Sequence, residues 1–164
     1  MNLFTDAGAT FSPCGAYRYR LWRRWAEGAP LVFVMLNPST ADAERNDPTV
    51  ERCQRRAVRM GFPAVEVVNL FALRSTDPAA LSLADDPIGP GSDAAILEAA
   101  RGAGMVVCAW GTTTVKRFEW RAGAVAAMLR ADEGLALYAL GTTKSGAPRH
   151  PLYLPDSSSP KPWS

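Results

Sequence analysis

An uninterrupted apolar run that ends abruptly in a polar turn constrains this chain more than any other feature. Residues 31–36 read Leu-Val-Phe-Val-Met-Leu and are followed at once by Asn37-Pro38-Ser39-Thr40. A strand buried on both faces of a parallel sheet has this continuous apolar character. Open α/β sheets bind ligands beyond the carboxyl ends of such strands, so Asn37 is the first candidate site residue.

Three further apolar runs end in polar or small residues in the same way. They begin near Val65, Met105 and Leu135, and they end at Asn69, Trp110 and Gly141. The segments between them carry helix signals, and strands that alternate with helices are typical of a parallel sheet with helices on both faces. We therefore predict one domain over residues 1–164, a three-layer αβα fold around a parallel sheet of about four strands in the order 2-1-3-4.

Other segments predict the elements that flank this sheet. Residues 16–25 alternate apolar and basic side chains, which favours a half-exposed strand at the sheet edge. Asp47-Pro48 and Asp77-Pro78 each predict the capped start of a helix, and Ser92 predicts a third cap. The tail over residues 155–164 is rich in proline and serine and is expected to be irregular, with Trp163 holding it in place.

The composition narrows the class of protein. A chain of 164 residues, 48% of them hydrophobic, has enough apolar surface for one core. Cys14, Cys53 and Cys108 are odd in number and widely spaced, so neither a disulfide framework nor a zinc site is indicated, and no metal or other cofactor is expected. Without a signal sequence or a membrane-length apolar run, the sequence predicts a cytoplasmic protein that does not contact membranes.

Two groups of basic residues are candidates for contact with phosphate, although the net charge is only +2. The first group is Arg52, Arg55, Arg56 and Arg59, and the second is Lys144 and Arg149. The four arginines recur at i, i+3, i+4 and i+7 and share one helical face. This basic stripe is either a solvated helix face or, with the second group, a surface that contacts the phosphates of a nucleic acid.

Familiar catalytic signatures are missing, which directs attention to isolated polar residues. The sequence has no phosphate-binding Gly-rich loop, no paired-His metal motif and no Gly-x-Ser-x-Gly turn. His150, the only histidine, lies in a loop rich in Gly and Pro rather than on an apolar face, which favours a functional role. Trp110 is either a surface for base stacking or a core tryptophan, and Cys108 is interpreted as core.

These residues, in order and spacing, resemble the uracil-DNA glycosylase superfamily, and its mismatch-specific branch most closely. The matching segments are Leu36-Asn37-Pro38-Ser39, Asn69 at the end of the next strand, Ala109-Trp110-Gly111 and His150-Pro151-Leu152. Nearly the whole chain also resembles DUF1643, a bacterial family of proteins of unknown function, through Leu-Asn-Pro-Ser-Thr-Ala, Asp-Pro-Thr, Asn-Leu-Phe-Ala and His-Pro-Leu-Tyr.

The glycosylase resemblance implies roles for individual residues. Asn37 would hold the attacking water, and His150 would stabilise the leaving base or grip the strand. The base-binding positions it implies are Asn69, Pro38, Ser39 and Trp110. A carboxamide is not a general base at neutral pH, so Asn37 would orient water rather than deprotonate it. Asp42 and Asp47 are nearby carboxylates that would assist, with a loop turn and a helix cap as their alternative interpretations.

Residues 152–154 have two interpretations. Leu152 stands where the second motif of the superfamily carries Ser, and Met35 and Ser39 replace glycines that flank its Asn-Pro. Leu152, Tyr153 and Leu154 either fill the gap left by a flipped nucleotide or belong to a strand that faces the core.

The expected function is that of a glycosylase-like protein, in enzyme terms a DNA glycosylase. It would bind a nucleobase at the carboxyl edge of the sheet and hydrolyse an N-glycosidic bond in nucleic acid, DNA rather than RNA. Two alternatives stay open: a recognition module of the same fold without catalysis, and a small-molecule enzyme on a Rossmann-like sheet. The partner is accordingly a nucleic acid or a small molecule that contains a nucleobase.

Overall fold

The computed structural model describes residues 4–112, 115–132 and 134–164. The strands in these ranges are β1 (Asp6–Phe11), β2 (Arg18–Arg24), β3 (Leu31–Met35), β4 (Ala64–Asn69), β5 (Met105–Cys108), β6 (Leu137–Ala139) and β7 (Lys161–Pro162). The helices are α1 (Pro48–Arg59), α2 (Ser92–Arg101) and α3 (Trp120–Ala131), with 3₁₀ helices at Pro78–Leu83, Lys116–Phe118 and Pro151–Tyr153. All seven strands join one mixed sheet in the order β1-β2-β4-β3-β5-β6-β7.

The four predicted strands form the middle of this sheet. β3 pairs parallel with β4 on one side and β5 on the other, and β5 pairs parallel with β6. Their order is therefore the predicted 2-1-3-4. The whole sheet is larger than the predicted parallel sheet of about four strands and is mixed, because β1, β2 and β7 extend it with antiparallel pairs.

β2 is an interior strand and not the predicted edge. It pairs antiparallel with β1 on one side and with β4 on the other. Two of its arginines are buried, Arg18 at 2% and Arg23 at 0% exposure. Because β2 runs against β4, the start of β2 lies beside the carboxyl end of β4, which brings Arg18 to Asn69.

Two apolar clusters pack against the central strands. One contains Val34 together with Ile96 of α2 and Leu129 of α3. The other contains Phe33 together with Cys53 of α1. Since consecutive residues of a strand point to opposite faces, α1 contacts one face of the sheet, and α2 and α3 contact the other.

Two of the three predicted helix caps are confirmed. Asp47 caps α1 by accepting from the Val50 amide at 2.9 Å, and Asp77 caps the 3₁₀ helix Pro78–Leu83. The prediction for Ser92 was wrong: α2 begins without a side-chain cap, and the buried Ser92 hydroxyl accepts from Arg121 instead. None of the helices in the described ranges combines the length and hydropathy that a membrane span requires.

Candidate functional site

A cavity of about 640 Å³ opens at the carboxyl ends of the parallel strands. The ends of β3 and β4 supply Asn37 and Asn69, and the loop after β6 supplies His150. The other polar residues that line the cavity are Arg18, Ser39, Asp47, Thr49, Ser75, Thr76, Thr112, Thr143 and Arg149. A concave space in which a few polar groups converge is typical of a small-molecule or cofactor site. The structure thus brings together the three residues that the sequence predicts at this edge.

The Asn37 carboxamide has a fixed orientation. Its nitrogen donates to the Pro38 carbonyl at 3.0 Å and to the Ser75 carbonyl at 2.8 Å. Carbonyl oxygens only accept, so Nδ2 must face them, and Oδ1 accepts from no described residue. Pro38 itself is buried and does not line the cavity; its carbonyl also accepts from the Ser75 amide at 2.9 Å. Asn37 therefore offers the cavity a hydrogen-bond acceptor.

Asn69 is oriented by an arginine that sequence reasoning missed. Asn69 is buried, and its Oδ1 accepts from Arg18 Nη2 at 3.4 Å. Arg18 also donates through Nη1 to the Ala41 carbonyl at 3.0 Å. Burial lowers the pKa of Arg18 to about 10, so the guanidinium stays charged at neutral pH. The alternating pattern of residues 16–25 predicts a solvated arginine here and carries no signal for this role.

His150 is a neutral hydrogen-bond donor. Its Nδ1 accepts from the Leu152 amide at 3.2 Å, which leaves the ring proton on Nε2. Burial lowers the pKa of His150 below its ordinary value, and Asp47 opposes this only in part. Gly111 packs beside it with φ at +73°, and a Cβ there would lie 3.5 Å from the His150 Cβ. Glycine suits this position because other residues rarely adopt a positive φ.

Asp47 is both a helix cap and part of the cavity wall. Its Oδ1 accepts from Val50 and its Oδ2 from the Ala41 amide at 3.3 Å. Among the described residues that line the cavity, it is the one carboxylate. Asp42, by contrast, does not line the cavity: its Oδ1 accepts from the amides of the loop turn at 2.9 Å and 2.8 Å, which lowers the pKa of Asp42. Asp42 is thus a turn residue, and Asp47 remains available to the site.

Two aromatic residues that line the cavity differ in how far their side chains are exposed to solvent. Trp110 is 3% exposed and packs edge-on against Trp163, with ring centroids 5.5 Å apart. This contact holds the tail in place, as predicted. Tyr153 is 75% exposed and lies 5.7 Å from the His150 ring. Within residues 152–154 only Tyr153 projects outward, because Leu154 is buried and Leu152 is half-buried.

The four arginines of the basic stripe on α1 fall into two groups, one bound to residues 154–158 and one exposed to solvent. Arg56 is buried and donates to the carbonyls of residues 154, 155 and 158, and Arg52 bonds to the same segment through Asp156. The hypothesis that all four arginines face phosphate was therefore wrong for the buried Arg56. Arg55, which pairs with Glu51, and Arg59 are exposed.

One member of the second basic group lies in the cavity wall. Arg149 lines the cavity and donates to the Tyr153 carbonyl at 3.2 Å. Lys144 is exposed in a turn that the Thr143 amide closes by donating to the Ala147 carbonyl at 2.8 Å, and it does not line the cavity. Arg149 is thus part of the cavity wall, and Lys144 directly follows the lining residue Thr143 in the chain.

Two of the three cysteines belong to the core, while Cys14 is exposed and does not line the cavity. No group of three or more His, Cys, Asp or Glu side chains in the described ranges is arranged to hold a metal ion. Burial raises the pKa of Cys53 and of Cys108 to about 12, so both stay protonated thiols of the core. The site therefore consists of amides, hydroxyls, one imidazole, one carboxylate and two guanidinium groups.

Comparison with known proteins places the chain in a family. The family model of a protein of unknown function (DUF1643) matches residues 18–152. No curated protein and no solved structure matches the chain. The matched range contains Arg18, His150 and every polar residue named above between them that lines the cavity. Because the match extends over most of the sequence, the chain belongs to the DUF1643 family.

Proposed function

We propose that the protein binds a nucleobase in this cavity and hydrolyses an N-glycosidic bond, with a nucleic acid, DNA rather than RNA, as its substrate. The observation that carries the proposal is the convergence of one fixed acceptor, Asn37, and two donors, Asn69 and His150, on one cavity. The parallel centre of the sheet, with helices against both faces, supports the three-layer arrangement of the uracil-DNA glycosylase superfamily.

Asn37 and Asp47 act on the water that attacks the sugar. Hydrolysis breaks the bond between the sugar C1′ and the base nitrogen, and water adds to C1′. Asn37 Oδ1 accepts a hydrogen bond from that water and orients it, since its own NH2 group is held by two carbonyls. The Asp47 carboxylate stabilises the positive charge that develops on the sugar and takes the proton released by the water.

His150 and Asn69 stabilise the base as it leaves. The base departs with the electron pair of the broken bond, so negative charge grows on its oxygen atoms. The Nε2–H of neutral His150 and the NH2 group of Asn69 donate to such oxygens. Donors that are already oriented stabilise this charge more than water does, because they need not reorganise as the charge develops.

The part of the substrate outside the cavity contacts Tyr153, Arg149 and Lys144. A glycosylase extrudes its target nucleotide from the stacked strand, which leaves a gap beside the neighbouring bases. Tyr153 is exposed at the cavity mouth and stacks on a neighbouring base, while Arg149 and Lys144 contact phosphates.

The test is abasic-site formation on single- and double-stranded oligonucleotides that contain uracil, mismatched or oxidised bases. Abasic sites should accumulate on at least one substrate, and Asn37→Ala should lower the rate by about 10² to 10³. Asp47→Asn should lower it similarly. The matched control is Asp77→Asn, because Asp77 also caps a helix but does not line the cavity. An inactive wild type, or equal losses for both Asp variants, would contradict the proposal.

A second candidate is the binding of a free nucleoside or nucleotide without catalysis. One observation favours it: Arg52 and Arg56 hold residues 154–158, which removes half of the α1 stripe from a nucleic-acid surface. Binding of uridine or cytidine by a wild type that forms no abasic sites would support this candidate over the first.

A further inference from the structure

We propose that Arg18 determines which nucleobases the cavity accepts, by holding the Asn69 carboxamide with its NH2 group toward the ligand. The inference rests on the proposed function and names its substrate class. That class comprises bases with a carbonyl oxygen, rather than an exocyclic amine, at the position that faces Asn69. In this role Arg18 is a positioning residue, since it acts through Asn69.

The first step of the argument is that Arg18 leaves Asn69 one orientation. A guanidinium group has donors and no acceptor, so it can face only the oxygen of a carboxamide. Arg18 Nη2 lies 3.4 Å from Asn69 Oδ1. Turning the amide by 180° would set an NH2 group against the guanidinium N–H groups, which costs a buried hydrogen bond and adds repulsion.

The second step is that Arg18 is itself held in place. Its side chain is 2% exposed, and Nη1 donates to the Ala41 carbonyl at 3.0 Å. None of the ion pairs found among the described residues includes Arg18. Its charge therefore acts on Asn69 without a carboxylate bound to it, and it polarises the amide so that the NH2 group becomes a stronger donor.

The third step is that the free end of Asn69 opens to the cavity. In the described residues, only the Nε atoms of Arg18 and Arg56 are both sealed from solvent and without a partner. Asn69 Nδ2 donates to no described residue, yet it is not one of these sealed atoms. Because Asn69 lines the cavity, a ligand there can satisfy this donor.

Uracil, thymine, hypoxanthine and guanine carry a carbonyl oxygen where cytosine and adenine carry an amine. A carbonyl oxygen accepts from Asn69 Nδ2, whereas an amine would bring two donors together. Sites built around one oriented donor reject ligands that leave it unpaired. The inferred class is therefore the carbonyl-bearing bases.

Binding of two free nucleosides by isothermal titration calorimetry tests the selection. Wild type should bind uridine about 10- to 100-fold more tightly than cytidine. Arg18→Met should reduce this ratio to about threefold or less, because the amide can then turn, and Arg18→Lys, which keeps a donor-only cation, should give an intermediate ratio. Arg23→Met is the matched control: Arg23 is equally buried in β2 but contacts the loop over residues 42–46 and not Asn69, so the ratio should persist.

A neutron structure of the wild type tests the orientation without relying on a variant that folds. Deuterium on the Asn69 atom that faces the cavity is expected, and an oxygen there would overturn the proposal. Equal binding of uridine and cytidine by wild type would overturn the selection alone. Binding of neither would overturn the selection as well, while the assay of abasic-site formation decides the proposed function separately.

Discussion

At the residue scale, the chemistry of the cavity follows from the atoms that its side chains have already paired. Asn37 has paired its NH2 group, Asn69 its oxygen, and His150 its Nδ1. Each side chain then has one kind of atom left for a ligand. The site is thereby committed to one acceptor and two donors before any ligand arrives, and such preorganisation is the main source of electrostatic stabilisation in enzymes.

His150 makes the stability of the fold depend on pH in one direction. Burial lowers its folded-state pKa, so below the ordinary value of 6.5 the unfolded chain binds a proton that the folded protein does not. The free energy of unfolding should therefore fall as the pH drops below about 6.5 and should not change through His150 above it. Urea titrations from pH 5 to 8 should show a shallower fall for His150→Asn, whose oxygen can still accept from Leu152. An equal fall in both proteins would contradict this.

The sequence predicts the positions of these residues better than their orientation. Asn37 and Asn69 stand out because each follows an apolar strand, and His150 because it lies among turn residues. Their orientation depends on partners far along the chain: Ser75 lies 38 residues from Asn37, and Arg18 lies 51 residues from Asn69. No local pattern contains that information.

At the element scale, helix α1 shows how one basic face can hold two kinds of arginine. The 3.6-residue period places Arg56 and Arg59 on the same side, yet Arg56 is 2% exposed and Arg59 is exposed. The difference comes from residues 154–158, which pack against Arg52 and Arg56 and turn their carbonyls toward Arg56. Periodicity predicts the face of a helix, and only the tertiary structure determines what covers it.

Arg56→Ala should lower the free energy of unfolding by about 2 to 4 kcal/mol, because it removes a buried guanidinium that donates hydrogen bonds to three carbonyls. Arg59→Ala, one turn further along the same helix, should change it by less than about 0.5 kcal/mol. Urea denaturation measures both. Equal and small effects would mean that the contacts between α1 and residues 154–158 do not stabilise the fold.

At the scale of the whole molecule, the sheet is predictable at its centre and not at its sides. The central strands are buried on both faces and read as continuous apolar runs, as β3 does with all five residues buried. β1 has one buried residue in six, and β7 is an exposed Lys-Pro pair, so neither carries a strand signal. These flanking strands nevertheless matter, since β1 makes β2 an interior strand, and β2 carries the buried Arg18.

The same whole-molecule view predicts where a nucleic acid would contact the surface. Helix α1 leads away from the cavity, so Arg59 lies about 18 Å along the helix axis from the capping residue Asp47, whereas Arg149 lines the cavity. A strand whose flipped base fills the cavity should therefore place its phosphates beside Arg149 and Lys144. Each phosphate neutralised releases counterions, which makes affinity fall with salt.

Replacing both Lys144 and Arg149 by Gln should flatten the slope of log affinity against log salt by roughly one to two units. Replacing both exposed stripe residues, Arg55 and Arg59, by Gln removes the same charge and should change the slope by less than about half a unit. Fluorescence anisotropy of a labelled oligonucleotide across a salt series measures both. A larger effect of the Arg55 and Arg59 pair would move the nucleic acid onto α1, and binding that does not respond to salt would favour a free nucleoside as the ligand.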